Sequence, residues 1–322
     1  MKQTTFASLA WNAKGRTTRR ERFLAEMNAV VPWVRLTALI EPHYPKGGGG
    51  GRPPMPLERM LRIYFMQQWF NLSDPQAEDA LYDIEPMRRF AGIELAEEAI
   101  PDESTILHFR HLLEKHQLTE KIFAEVRSLL EEKKLLLKSG TIVDATIISA
   151  PSSTKNETKS RDPEMQQAKK HGQWYFGMKV HVGASMQGLV HSLVTGRAGE
   201  ADITRLDELL HGQERELYGD QAYWSQDHRL HCQCAGIDYR VNRRAKSGRT
   251  LSEHEKAINR SRSRRRARGE FAFRVVKRLW GFTMVRYRGL LKNTMRAFAL
   301  FALANLYLVR RRLLPRGAQY AL

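Results

Sequence analysis

Three carboxylates stand at positions where this chain could use them for chemistry. Asp144 interrupts TIVDATIISAPSS (141–153), a run rich in β-branched residues that reads as a strand. Burying an unpaired carboxylate costs several kcal/mol, so Asp144 is expected either at a strand end or against a cation. Asp220 closes the short strand ELYGD (216–220), directly after Gly219, where backbone or ligand can come close. Glu270 heads the helical stretch EFAFRVVKRLWGF, with Arg266, Arg268 and Arg274 beside it. Two aspartates at the ends of neighbouring central strands repel unless a cation neutralises them. Oxygen donors without Cys or a His cluster suit hard divalent ions, Mg²⁺ or Mn²⁺. Three such acids can hold two ions about 3.5–4 Å apart, one to activate a water or a 3′-hydroxyl and one to stabilise the leaving oxygen of a phosphoryl transfer. The surrounding Arg and Lys suit a phosphodiester substrate.

Other polar residues carry weaker signals. Asp162 and Glu164 lie in a polar loop and are expected to be solvated. His171, His181 and His191 do not form a ligand set, and His181 and His191 are expected on sheet faces. Tyr223 and Trp224 follow Asp220 and could stack on a base or pack in the core. Arg262–Arg268 is a basic run, either solvated or in contact with phosphate. Cys232 and Cys234, one residue apart, suit neither a zinc site nor a robust disulfide and read as ordinary thiols.

The elements that must position the acids follow from periodicity. A weak helical pattern runs from Arg19 to Leu39. The run GGGGG (47–51) followed by RPPMP reads as a flexible break and then a stiff one. Apolar spacing predicts a helix over 57–70, Ser73 with Gln76 predicts a capping box, and further helices follow at 101–116 and 118–136. At Gly140 the pattern changes. A strand at TIVDATII is followed by a polar, aperiodic loop (151–174) and a hairpin around Met186-Gln187-Gly188. A helix (201–212), a strand (216–220), a helix (224–236) and a strand (237–241) come next. A very basic segment (242–270) and two further helices, the last long, complete a mixed α/β layout. The expected division is an N-terminal basic arm with linker (1–51), a helical domain (52–136), an α/β catalytic domain (137–313) and a tail (314–322).

The chain has 322 residues, 53 Lys plus Arg against 35 Asp plus Glu, and a net charge of +18. That excess favours a polyanionic partner, with a merely basic enzyme as the alternative. The N-terminus is polar and basic with no apolar core segment, and no run reaches the roughly 20 apolar residues of a membrane helix. A cytoplasmic protein without membrane contact is expected.

Several separate stretches, in order, resemble a bacterial insertion-sequence transposase of the DDE class, in the group named "IS five", with a ribonuclease-H-like core. They are RPPMPLERMLRIYFMQQWFNLSDPQAEDALYD, VDATIISAPSSTKN, QWYFGMKVHVG, LYGDQAY, GEFAFRVVKRLWGFTMVRYRGLLKN and ALANLYLVRR, and they span nearly the whole chain. The resemblance implies a ribonuclease-H-like mixed sheet with flanking helices behind an all-helical N-terminal domain. It implies Asp144, Asp220 and Glu270 as catalytic ligands of two Mg²⁺ or Mn²⁺ ions. The family pattern of Tyr, two residues, Arg, three residues, Glu, six residues, Lys is kept by Arg266, Glu270 and Lys277, while Ser263 stands at the Tyr position and Phe-Ala-Phe follows the Glu. Lys277, Arg266, Arg274, Lys179, Tyr223 and Arg288 are the candidate DNA contacts. The implied activity is binding of the element's inverted-repeat ends, cleavage, and joining of the 3′-hydroxyl to target DNA by a homodimer or higher assembly at the nucleoid. The alternatives are a nuclease of the same fold without strand transfer and a catalytically decayed DNA-binding repressor.

Overall fold

The computed structural model describes residues 13–47, 53–95, 98–155, 157, 159–170, 172–245, 248 and 250–314. Most of the Gly-rich linker, His171 and most of the C-terminal tail lie outside these.

Helix α1 (Arg19–Val30) starts at Thr18, whose hydroxyl accepts from the Glu21 amide while the Glu21 carboxylate accepts from the Thr18 amide. The single helix expected over 19–39 is instead two. Pro32 offers no N–H and forces Val31 into an extended conformation, so α2 (Trp33–Ile40) begins anew. Helix α3 (Leu57–Phe70) ends on Asn71 in the left-handed region, φ 52°. The Ser73–Gln76 capping box opens α4 (Asp74–Asp83) as expected. Then come α5 (Glu85–Phe90), α6 (Glu103–Lys115), capped by Asp102, and α7 (Leu118–Glu132).

The sheet comprises β1 (Gly140–Ser149), β2 (Gln166–Lys170), β3 (Gln173–Ser185), β4 (Val190–Arg197), β5 (Glu216–Gly219) and β6 (Asp238–Val241). Its main order is β4-β3-β1-β5-β6, with β2 pairing only to the first part of β3. The β4-β3-β1 pairings are antiparallel and the β1-β5-β6 pairings parallel. That arrangement, three meandering strands followed by two parallel crossovers, is ribonuclease-H-like. The loop expected over 151–174 contains β2, whose exposed QQAKK sequence has no apolar alternation to reveal it. Helices α8 (Leu206–Leu209) and α9 (Gln226–Cys234) flank β5. The basic segment holds α10 (Glu253–Arg266), followed by α11 (Glu270–Phe273) and a π-helical turn (Arg274–Leu279). Helix α12 (Leu290–Leu313) ends the described chain.

One core joins the helical unit to a sheet face. It includes Leu36, Phe65, Leu130, Val180, Val182, Phe301 and Leu303. The other face carries a smaller core of Val143, Leu206, Leu217, Tyr223 and Val241. Because α1, α2 and α12 share the first core with residues 57–136, helical packing crosses the boundary expected at 51 and draws in the far end of the chain. At its start, α12 is capped by the two acids expected to be solvated. The Gly289 amide donates to Asp162 at 2.7 Å and the Leu290 amide to Glu164. Carboxylates there satisfy free amides and meet the positive end of the helix dipole. Further along α12, Asn305 is fully buried and clips the sheet, accepting from the Val190 amide at 2.9 Å and donating to its carbonyl at 2.7 Å. No single helix among the described residues is long and apolar enough to cross a membrane.

Candidate active site

Asp144 is not at a strand end. It is the fifth of the ten residues of β1, so the second expectation applies, that a cation meets it. Arg266, at the end of α10, points its Nη1 at Asp144 Oδ2, 3.4 Å away. The Ala145 amide also donates to Asp144 Oδ1 at 2.9 Å. Strand β5 lies parallel to β1 with Ile142 opposite Tyr218. Two residues on in that register, Asp220 is level with Asp144 on a strand about 4.8 Å away. Asp220 follows the last residue of β5, and its Oδ1 accepts from the Ala222 amide at 2.8 Å.

Glu270 reaches the same place from the helical side. Its Oε1 lies 3.8 Å from Arg266 Nη2, so one guanidinium faces both Asp144 and Glu270. Two glycines let this segment sit on the sheet. A Cβ on Gly269 would come 2.7 Å from Cγ2 of Ile142, the β1 residue two before Asp144 and on the same face. Gly188, in the β3–β4 turn at φ +84°, would bring a Cβ within 2.4 Å of the Arg268 carbonyl oxygen. Ile142 is branched at Cβ and cannot swing aside, so Gly269→Ala must lift Glu270 off the sheet. The expected result is a 10- to 100-fold loss of cleavage with DNA affinity unchanged, roughly the cost of a 1 Å misplacement. Ile142→Ala, which removes the opposing methyl, should restore part of the activity in the double variant. Steady-state cleavage kinetics on the four proteins check both effects.

The charges are unbalanced. The Asp144 carboxyl is pushed up to about 6, chiefly by burial and with smaller help from the negative charges of Asp220 and Glu270, against the downward pull of Arg266 and the Ala145 amide. Among the described residues no three His, Cys, Asp or Glu side chains lie close enough together to hold a metal ion as they stand. Arg266 lies between two of the three acids, and Glu270 is mostly exposed on a short helix. The donor set nevertheless fits a hard divalent cation. It is all carboxylate, it includes a buried Asp144 whose carboxyl is raised by burial and, more weakly, by Asp220 and Glu270, and two of its members face one guanidinium.

The candidate DNA contacts separate by burial. Lys277 stands on the π-helical turn, where the wider backbone loop replaces the two α-helical turns expected after Glu270. Its Nζ donates to Thr146 Oγ1 at 3.0 Å and to the Ile147 carbonyl at 3.1 Å. Thr146 shares the sheet face of Asp144, so Lys277 lies one strand repeat, about 7 Å, along β1 from the acid. Burial and the nearby Lys170 lower the Lys277 pKa. Arg274 and Arg288 are exposed, and Arg288 lines a cavity of about 190 Å³ with Arg161, Ser153 and Tyr287. Two candidates are corrected. Tyr223 is fully buried in the smaller core and its hydroxyl lies 3.3 Å from His181 Nδ1, so it cannot stack on a base. Lys179 gives its ammonium to Asp202 at 2.7 Å and to the Glu200 carbonyl at 2.6 Å, so it is committed to the fold. Sequence reasoning missed Gly188 and Gly269, whose only signal was their place flanking candidate elements. It also missed helix α10, whose lack of an apolar stripe hides it from periodicity. Its start is nevertheless marked by a Ser252–Glu255 capping box.

A family model described as a transposase DDE domain matches residues 136–306, and one described as a transposase domain (DUF772) matches residues 12–112. The first covers the whole sheet, all three acids and most of α12. The second covers α1 to α5 and most of α6. No solved structure matches the chain.

Proposed function

This chain belongs to the transposase DDE domain family, and from that premise we propose that it binds the inverted-repeat ends of its own insertion sequence, cuts there, and joins the freed 3′-hydroxyl to target DNA. It is a metal-dependent transposase that cleaves phosphodiester bonds, with DNA as its partner. Asp144, Asp220 and Glu270 would hold two divalent ions, Mg²⁺ or Mn²⁺. When bound, these ions activate the attacking water or 3′-hydroxyl and stabilise the leaving oxygen. The remaining chemistry falls to the chain itself. Arg266, facing two of the acids, balances their charge and offers its guanidinium to a phosphate near them. Its Nε is buried and has no hydrogen-bond partner among the described residues. Arg274 and Arg288 supply further cations along the path of the DNA. The helical unit is the candidate for end binding or pairing of two subunits, because both ends of an element must be brought together. Work at the nucleoid in the cytoplasm follows from that substrate.

The observation that carries this reading is the convergence of Asp144 on β1 and Glu270 at the head of α11 on Arg266, with Asp220 at the end of the neighbouring β5 close enough to raise the Asp144 carboxyl further. The test is incubation of the purified protein with Mg²⁺ and duplexes taken from the DNA flanking its reading frame. A nicked end bearing a 3′-hydroxyl, followed by joined product, supports transposition. Cutting without joining points to a nuclease, and binding without cutting to a repressor.

Lys277→Ala should slow cleavage or joining by about ten- to a thousand-fold, as expected for loss of one cationic stabiliser beside developing charge. Single-turnover kinetics on pre-cut ends, with binding saturated, read this directly. A wild-type rate there would confine the lysine to bracing β1 through Thr146.

A further inference from the structure

Helix α3 ends at Asn71 in the left-handed region, and two arginines of the catalytic unit close on this one residue. Arg286 Nη2 donates to the Asn71 carbonyl at 2.7 Å and to its Oδ1 at 2.9 Å, and Arg286 Nη1 donates to the Leu72 carbonyl. Arg296, on α12 and only 2% exposed, donates from Nη2 to the same Asn71 Oδ1 at 2.8 Å and from Nε to Gln68 Oε1 at 3.2 Å. All of these acceptors are neutral, although buried cations are ordinarily paired with charge. Burial lowers the pKa of both arginines, that of Arg296 to about 10. A single neutral side chain of the helical unit thus holds two guanidiniums of the catalytic unit.

What these arginines hold in turn lies beside Lys277. The Arg296 guanidinium covers the Phe282 ring, 5.0 Å from its centroid. The Phe282 amide donates to the Val276 carbonyl at 3.0 Å and the Trp280 amide to the Val275 carbonyl at 3.1 Å, which closes the π-helical turn on which Lys277 stands. On its other side the same segment is tied to the end of β1. The Ser149 amide donates to the Thr283 carbonyl at 3.0 Å, and the Val285 amide to the Ser149 carbonyl at 2.8 Å. Residues 280–286 are therefore clamped between β1 and Asn71. Single π turns are rare and concentrate at functional sites, so this one needs neighbours that hold it.

We propose that Asn71 is a positioning residue for Lys277: through Arg296 and Phe282 it fixes the turn that keeps the lysine one strand repeat from Asp144. The proposal rests on the role given to Lys277 in the transposase reading. It adds that the helical unit contributes to the chemistry itself, and not to the binding of ends alone.

The test uses full-length Asn71→Gly and Asn71→Asp. Glycine adopts the left-handed conformation freely, so the first variant removes the acceptor and leaves the backbone path. Quantitative lysine acylation, read by mass spectrometry on protein without metal or DNA, should show Lys277 reacting about three- to tenfold faster in Asn71→Gly than in wild type, relative to the other lysines. That is the factor carried by about one lost hydrogen bond. Aspartate keeps Oδ1 and brings a negative charge to the two guanidiniums, so Asn71→Asp should leave Lys277 as slow as in wild type, with a urea midpoint no lower. In single-turnover joining of pre-cut ends, Asn71→Gly should be slower by a similar factor. Asn71→Gly/Lys277→Ala should be no slower than Lys277→Ala alone, because residues that act through one another are not additive. Unchanged Lys277 acylation in Asn71→Gly, or losses that multiply in the double variant, overturns the proposal. Should Asn71→Gly not fold, Asn71→Asp decides, and faster Lys277 acylation there overturns it as well. Failure of the transposase reading looks different. A wild-type protein that never joins ends would sink that reading, while the acylation comparison, which needs neither metal nor DNA, still reads the hold of Asn71 on Lys277.

Discussion

Asp144→Asn, Asp220→Asn and Glu270→Gln are each expected to lower Mg²⁺-dependent cleavage at least about a thousand-fold while DNA affinity stays near wild type. On the proposed mechanism, loss of one acid removes a ligand for the ions that would stabilise the transition state, whereas affinity comes from Lys and Arg spread over the surface. The amide replacements keep the shape, so lost activity cannot be blamed on a cavity. Asp144→Asn carries a second, opposite expectation that separates chemistry from folding. Burial raises the folded pKa of this acid to about 6, from an ordinary value near 3.8. Well below pH 3.8 the carboxyl is neutral whether the chain is folded or not, and it costs nothing. As pH climbs to about 6 the unfolded chain ionises freely and the folded one does not, so stability falls, by an amount on the order of 2–3 kcal/mol. The amide in place of the Asp144 carboxyl removes that penalty. In EDTA the Asp144→Asn variant should be more stable than wild type at pH 7.5 and close to equal to it near pH 3, although Arg266 keeps only Glu270 as its partner. Urea midpoints at the two pH values, beside end-cleavage rates, check the pair of effects. Retained cleavage in any one variant would remove that residue from the site, and an Asp144→Asn protein less stable than wild type at pH 7.5 would mean that Arg266 outweighs burial.

Asn305→Leu should destabilise the protein by about 2–4 kcal/mol. Asn305 is buried in the middle of α12 and answers both the amide and the carbonyl of Val190, the first residue of β4. Leucine is close in size but offers neither partner, so two backbone groups are left dry and unpaired, at about 1–3 kcal/mol each with some relaxation. The effect reaches the site, because β4 follows the turn whose Gly188 packs against Arg268, two residues before Glu270. Asn305→Leu should therefore also slow cleavage, at temperatures where the chain is still folded. Denaturant unfolding followed by tryptophan fluorescence measures the first effect. A loss under about 0.5 kcal/mol would show that solvent or a shifted side chain replaces the amide.

Much of this was written in near neighbours along the chain. The Ser73–Gln76 and Ser252–Glu255 boxes join residues three apart, the run at 141–148 carries its β-branched character residue by residue, and Asp144, Asp220 and Glu270 stand in order on a strand, a strand end and a helix head. Interactions that close within one turn or one pleat leave their signature in adjacent letters. What no local pattern could hold is pairing across distance. Arg266 meets Asp144 from 122 residues away, and whether that cation or a strand end would answer the carboxylate depended on where α10 docks. Tyr223 and Lys179 read as plausible DNA contacts because aromatic and basic letters look alike inside and out. Only the closure of the smaller core over Tyr223, and the arrival of Asp202 beside Lys179, turned them inward. Asp162 and Glu164 looked like loop acids until the first turn of α12, more than 120 residues later, brought its free amides to them. The residue types capable of phosphodiester chemistry were set by sequence, but which of them share one guanidinium, and which are spent on the fold, was decided by packing between segments that sequence spacing leaves unrelated.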